Sequence, residues 1–262
     1  MNEEILKKLH NAELEILDEI ARVCDENNIK YFILFGTLLG AVRHKGFIPW
    51  DDDIDIGMLR EDYIKFLEIA PKKLKSKFFL DNFNNSDDWY LCFSKVKNRD
   101  TIFEEELSLG FTGSKNIFVD VFPIDYVKDN HLSKKLIIKQ KLVGFLNCVM
   151  CTNTFKRKEN KKALFISKFM SNKMAVKLID KICISKRKTD YLMFFGFDLS
   201  DSFFAPKNIF FPLKKMEFEG KKYYAPRNYK KFLTLYYGSD YMQLPPIEKR
   251  ITHKPIKIVF ED

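Results

Sequence analysis

Near the N-terminus the apolar positions recur with helical spacing. Ile5, Leu9, Ile16, Ile20 and Val23 fall on one face, which predicts an amphipathic helix over 3–27. The period then changes. Tyr31 to Phe35 is a compact apolar run closed by Gly36 and reads as a buried strand, and Thr37 is placed to cap a short helix running to Arg43. Apolar residues alternate around Asp55 from Ile54 to Met58, predicting a second strand; Arg60 to Ala70 is helical again, with Pro71 as its stop. Phe78–Phe83, Tyr90–Val96 and Ile117–Phe122 are aromatic and β-branched runs that predict further strands. From His131 to Lys188 the spacing is helical, in two or three pieces broken near 152–160. Met216 to Tyr224 predicts a hairpin turning at Glu219-Gly220, and Asn228 to Tyr237 a helix ended by Gly238. Strands and helices mix without strict alternation, so the expected fold is mixed α/β, of the α+β kind. The organisation expected is a catalytic core over 1–130, a basic helical insertion over 131–200, and a segment over 201–262 that completes the catalytic domain.

Composition changes this picture in two places. With 46% hydrophobic residues among 262, and 26 Phe, 11 Tyr and 2 Trp, the chain has ample material for a core. The net charge of +9 is uneven: between His131 and Asp190 there are 16 Lys plus Arg against 3 acidic residues, so the rest of the chain is slightly acidic. That basic stretch reads either as a solvated face or as a surface for an anionic leaflet or acceptor. Nucleic acid is not expected, because no binding motif accompanies the charge. The acidic start at Met1-Asn2-Glu3-Glu4 does not look like a secretory signal, and the longest apolar run, 32–42, is short of the roughly 20 residues that span a bilayer. Five cysteines in irregular spacing suggest free thiols, and the single CxxC, Cys148 and Cys151, lies in helical spacing as packing residues. A cytoplasmic protein, peripheral at the inner face of the cell membrane, is the expectation.

The chemistry concentrates between Phe35 and Gly57. On a strand, Asp53 and Asp55 would point to one face while Ile54 and Ile56 anchor the other. Carboxylates roughly 6.5 Å apart repel unless a cation lies between them. Mg²⁺, or Mn²⁺ in its place, takes such oxygen ligands and leaves sites for phosphate. Asp51 shares their parity. Gly36 permits close backbone approach, and the N–H groups of Thr37 and Leu38 would open a helix able to cradle a phosphate. Asp120, flanked by apolar residues in Ile117–Phe122, is the third ligand or the base for an attacking hydroxyl. A solvated acidic turn would explain Asp51 to Asp53 alone, but not the combination with Gly36-Thr37 and Asp120. Arg43 and Lys95 are candidate phosphate contacts, with His44 and Lys45 beside Arg43. Trp50, Trp89, Tyr90 and Tyr224 are candidate walls for a quaternary ammonium. Glu104 to Glu106 read as a solvated run, and His253 as structural or superficial.

Together, Gly36-Thr37, Asp53-Ile54-Asp55-Ile56 and Val119-Asp120-Val121 resemble the nucleotidyltransferase signature of a Gly-Ser, a paired acid and a third acid, with Thr37 in place of the usual Ser. The stretch from Leu34 to His44, followed by Gly46-Phe47-Ile48-Pro49-Trp50-Asp51-Asp52-Asp53-Ile54-Asp55-Ile56, is similar to the LicD family, and Phe93–Val96, Thr101, Val119–Asp125 and Tyr241–Pro246 agree with it. The resemblance covers about 5–125 and 205–253. It implies a nucleotidyltransferase-type core sheet and Mg²⁺-dependent transfer of phosphocholine from CDP-choline, or of a related alcohol phosphate from another CDP-alcohol, with release of CMP. The implied acceptor is a hydroxyl of a surface glycan such as teichoic acid or lipopolysaccharide, lipid-linked or not. Two other readings stand beside it: a glycosyltransferase using its Asp-x-Asp with a nucleotide-sugar, and a non-catalytic scaffold at a membrane surface.

Overall fold

The structure is a computed structural model that describes residues 2–106, 109–128, 130–185, 187–250 and 255–260; His253 lies outside them. The chain runs α1 (Glu3–Glu26), β1 (Phe32–Ile33), α2 (Phe35–Arg43), β2 (Asp55–Leu59), α3 (Arg60–Lys73), β3 (Phe78–Asp81), β4 (Ser94–Asn98), β5 (Thr101–Glu105), β6 (Phe118–Val127), α4 (Lys134–Phe155), α5 (Lys161–Ser167), α6 (Asn172–Cys183), β7 (Tyr191–Phe194), β8 (Phe203–Pro206), α7 (Lys207–Phe210), β9 (Lys214–Phe218), β10 (Lys221–Ala225), α8 (Tyr229–Tyr237) and β11 (Pro255–Phe260). The mixed helix-and-sheet class is as expected.

A seven-stranded sheet organises the molecule, in the order β1-β2-β6-β4-β3, with β7 beside the far half of β6 and β8 beside β7. β2 and β6 are parallel; the other pairings are antiparallel. The central strand β6 is buried throughout, because it is covered on both faces and flanked on both edges. Its second edge changes partner midway: β4 pairs with Phe118–Val121 and β7 with Asp125–Val127. Pro123 falls in the gap between them, where a strand interior tolerates a residue without an N–H.

Alternation along β6 separates the two faces. Val119 and Val121 lie under α1 and α3, where Tyr63 of α3 hydrogen-bonds Ser94 at 2.6 Å. Phe118, Asp120 and Phe122 point the other way, and Phe122 packs against Phe35, Phe93 and Phe194. The hairpin of β9 and β10 turns at Glu219 and Gly220, both at positive φ, as its Glu-Gly pair predicts. α8 begins at an Asn228 side-chain cap and ends at Gly238 with φ +97°, again as expected.

Several elements differ from the sequence reading. β1 is only two residues long, because Phe35 adopts φ +41° and enters α2. Gly36 therefore lies inside the helix rather than closing the strand. α3 continues through Pro71 to Lys73; the Leu74 N–H still reaches the Ala70 carbonyl, so the last turn closes despite the missing proline donor. β4 starts at Ser94, because Trp89 is buried in the preceding loop and donates its indole N–H to the Phe93 carbonyl at 3.0 Å. β5, β7, β8 and β11 lie outside the strands that the sequence pattern predicts. Glu104 and Glu105 belong to β5, which pairs with β11, and Glu104 forms an ion pair with Lys115, so of the expected solvated run only Glu106 is exposed.

The basic stretch folds as α4, α5 and α6. Leu136, Val143, Leu146, Met150, Val176, Ile179 and Cys183 form a second apolar cluster with Met193 and Phe195. Arg60 at the start of α3 joins that cluster to the sheet: its guanidinium grips Asp125 of β6 at 2.9 and 2.7 Å and reaches Asp180 of α6 at 2.9 Å. Cys148 and Cys151 are free thiols on α4. Among the described residues no helix is long and apolar enough to cross a membrane.

Candidate active site

Strand register assembles one charged row across the sheet. Asp55 of β2 stands opposite Asp120 of β6, Asp120 opposite Lys95 of β4, and Lys95 opposite Asp81 of β3. Registered neighbours share a face, so these four side chains project together. The Lys95 ammonium lies 2.8 Å from an Asp120 carboxylate oxygen and 3.1 Å from the centre of the Phe118 ring. Asp81 pairs instead with Lys97 at 2.8 Å, both almost fully buried, with Ser114 completing the contact.

Asp53 does not share a strand with Asp55, because β2 begins at Asp55 and residues 51–54 form an irregular approach to it. The approach is still tied to the sheet: the Asp120 N–H donates to the Ile54 carbonyl at 2.9 Å. Asp52 and Asp55 are buried, while Asp51 and Asp53 are partly exposed.

α2 packs directly on this segment, but not as the sequence suggests. Thr37 is not a helix cap; Leu34 occupies that position without a side-chain bond. The Thr37 hydroxyl instead accepts the Asp55 N–H at 2.8 Å, and the Leu34 N–H donates to the Asp55 carbonyl at 2.9 Å. Leu34 and Thr37 thus clamp the backbone of the acid between them. Leu38 offers no amide to a phosphate, since its N–H donates to the Leu34 carbonyl at 2.9 Å. With Phe35 at the first helical position, the first-turn amides are those of Phe35, Gly36 and Thr37. A Cβ at Gly36 would lie 2.7 Å from an Asp51 carboxylate oxygen, so glycine there lets Asp51 close on the helix start.

Neighbouring elements hold the acidic approach. His10 of α1 stacks on Phe47 at 3.7 Å and donates from Nε2 to the Asp51 carbonyl at 2.8 Å. Glu219, at the hairpin turn, accepts the Phe47 N–H at 3.0 Å. A Cβ at Gly40 would meet the Gly46 carbonyl at 2.5 Å, so the same loop lies flat on α2. Arg43 points its Nη1 at the Tyr241 and Gln243 carbonyls, 3.1 Å each, and its Nε at His44. It holds the C-terminal segment to α2, a duty distinct from the phosphate contact expected of it.

The electrostatics are those of crowded carboxylates. Burial pushes the Asp55 carboxyl well above the ordinary range, and the charges of Asp53, Asp120 and Asp51 push the same way, with Lys95 opposing. Glu13 of α1 is also buried, its Oε2 without a hydrogen-bond partner; burial raises its proton affinity strongly, and Asp53, Asp52, Asp51 and Asp55 add to it. Glu13 was missed from sequence, although an acid in the apolar row of Leu9, Ile16 and Ile20 was a legible signal. His10 and Glu219 had none, because only the fold brings them to residues 47–51.

Oxygen donors in this surrounding fit a hard divalent ion. Among the described residues no three of the His, Cys, Asp or Glu side chains form a closed ligand cluster. Mg²⁺ requires less: it is held by one or two carboxylates and keeps water and substrate phosphate for its other positions. The four aromatic candidates do not meet at one place: Trp89 and Tyr90 both pack on Phe111, away from the other two. Trp50 lies under Arg250 at 4.2 Å and Trp89 beside Lys97 at 5.4 Å, while Tyr224 packs edge-on to Tyr31.

The family described as LicD/FKTN/FKRP, nucleotidyltransferase domain, matches residues 28–148, the stretch from β1 into α4 that contains the charged row. Over 251 residues the chain is 31% identical to the lipopolysaccharide cholinephosphotransferase LicD of Haemophilus influenzae, covering 92% of each chain. Shorter similarities join it to the ribitol 5-phosphate transferase FKRP of Homo sapiens, 43% identical over 53 residues, 19% of this chain and 11% of that protein. The ribitol-5-phosphate transferase FKTN of Mus musculus is 28% identical over 122 residues, 45% of this chain and 22% of that one. The chain belongs to the LicD family and is a phosphotransferase.

Proposed function

We propose that the protein transfers phosphocholine, or a related alcohol phosphate, from a CDP-alcohol to a hydroxyl of a cell-surface glycan. The core sheet is then a nucleotidyltransferase-type core, with Asp53 and Asp55 as the metal-holding pair and Asp51 and Asp120 as further ligands. The reading is supported above all by the registered row of Asp55, Asp120 and Lys95, with Asp55 clamped by Thr37 and the preceding segment 51–54 tied to His10 and Asp120.

In the proposed reaction the glycan hydroxyl oxygen bonds to the β-phosphorus of the donor. The bond from that phosphorus to the oxygen it shares with CMP breaks, CMP leaves with the electron pair, and the hydroxyl proton passes to a carboxylate of the row, for which Asp120 is the candidate. Bound Mg²⁺ supplies charge neutralisation at the diphosphate. A phosphate oxygen of the donor is assigned to the first-turn amides of α2, close to Asp51. Lys95 holds Asp120 in place and brings a cation to the row.

Thermal unfolding with Mg²⁺ and CDP-choline, CDP-ribitol, CDP-glycerol or UDP- and GDP-sugars tests this. A donor at 100 times its Kd stabilises by about 2.7 kcal/mol. The expected result is a Mg²⁺-dependent shift with one CDP-alcohol that is lost in Asp53→Asn. A shift with a nucleotide-sugar alone would replace the proposal with a glycosyltransferase. Near-wild-type turnover in Asp53→Asn and Asp120→Asn would overturn the site.

A further inference from the structure

The helices α4 to α6 present a surface that the transfer chemistry does not use. Phe165 of α5 and Phe169 just beyond it are 61% and 71% exposed, and their rings meet edge-to-face at 5.5 Å. Two large aromatic side chains standing together in water are costly unless something covers them. The next helix repeats the pattern: Met174 and Leu178 stand exposed one turn apart on α6, beside Lys173, Lys177 and Lys181. On α4, Ile138 and Leu142 do the same between Lys134, Lys135 and Lys141.

Along α5 and most of α6 the charge has one sign. From Asn160 to Ile179 the chain has five lysines and no acidic residue. Asp180, the acid that follows, is turned inward onto Arg60. The opposite faces of α4 and α6 are consumed by the second apolar cluster, and Gln140 donates to the Gly196 and Asp198 carbonyls, so the helices are fixed and their outer faces stay outward.

We infer that the outer faces of α4 to α6 form a docking surface for an anionic phospholipid bilayer, with Phe165 and Phe169 as the inserting wedge. Interleaved lysines and apolar side chains on fixed helices match the two components of such an interface, headgroup charge and acyl boundary. A second copy of the chain is disfavoured as occupant, because it would bring a surface of the same charge against this one. The inference is independent of the transfer reaction, since it concerns binding without donor or acceptor.

Co-flotation of the full chain with phosphatidylglycerol/phosphatidylcholine vesicles, compared with phosphatidylcholine alone, tests it. Binding is expected with the anionic vesicles and is expected to weaken as salt is raised. Phe165→Ser combined with Phe169→Ser should lower the partition constant at least about tenfold, since two exposed rings lose their burial. Lys162→Gln with Lys173→Gln should lower it about fivefold per lysine. All four side chains are exposed, so the melting temperature should stay at the wild-type value; if a variant unfolds, the salt dependence of the wild-type protein decides. Absence of binding to anionic vesicles at low salt, equal binding to both vesicle types, or binding unaffected by the Phe and Lys changes would overturn the inference. So would capture of single-stranded RNA, or dimerisation through this face, with vesicles left unbound.

Discussion

Thr37→Val asks whether Thr37 acts by holding Asp55. The two side chains have nearly the same shape, so the substitution leaves the core filled and removes only the oxygen that accepts the Asp55 N–H at 2.8 Å. Thr37 is 3% exposed, and the amide it serves lies under α2 where water cannot replace the acceptor. A buried donor left unmade costs about 1–3 kcal/mol. Thr37→Ser keeps the oxygen and loses one methyl group, worth about 0.8 kcal/mol. The valine variant should therefore be the less stable of the two, opposite to the order that packing alone would set. Urea unfolding followed by far-UV circular dichroism and tryptophan fluorescence gives both values, provided m is unchanged. Turnover should fall further in Thr37→Val than in Thr37→Ser, by up to about a hundredfold if Asp55 shifts by an ångström. A valine variant within about 0.5 kcal/mol of wild type, or more stable than the serine variant, would refute the clamp.

Arg60→Met leaves the Asp125 carboxylate buried without its cation and should cost about 3–5 kcal/mol, with part recovered by adding Asp125→Leu; a loss under about 1 kcal/mol in urea would refute it. Glu13→Gln tests a pH dependence in EDTA. Folding holds the Glu13 proton well above its ordinary value of 4.5, so between 4.5 and the folded value the native state binds a proton that the unfolded chain has released, and stability falls as pH rises. A glutamine side chain cannot ionise, so the variant should gain on wild type as pH rises above about 4.5, until the folded carboxyl itself ionises, and parallel stability curves would rule the buried acid out.

Local order made much of the fold readable. Helical spacing located α1 and the helices of the basic stretch, and the Glu219-Gly220 and Gly238 signals located the hairpin and the end of α8. Asp120 in an apolar strand was legible for the same reason: period-two alternation places an acid on a defined face. Errors came where tertiary packing overrode local preference. Phe35 turns into a helix at positive φ among the rings of Phe122, Phe194 and Tyr236, which no periodicity announces. Pro71 was read as a stop because a proline lacks a donor, but in a last turn that loss is small.

The sequence by itself determined the chemistry available here: a Gly-Thr, a cluster of carboxylates, a basic helical stretch, and residue order close enough to the LicD family to be recognised. Those follow from residue identity and short spacing, which the chain carries without folding. Only the tertiary structure decided which groups meet. Register between β2, β6 and β4 sets Asp55, Asp120 and Lys95 in one row although 25 residues or more separate each registered pair in the chain. Packing of α1 brings His10 and Glu13 to the acidic approach, and the hairpin brings Glu219. Packing also turns Thr37 from a cap into the acceptor for Asp55. Such contacts depend on strand pairing and helix docking between distant segments, and the energy that selects them is buried area and satisfied hydrogen bonds, neither of which exists before the chain closes on itself.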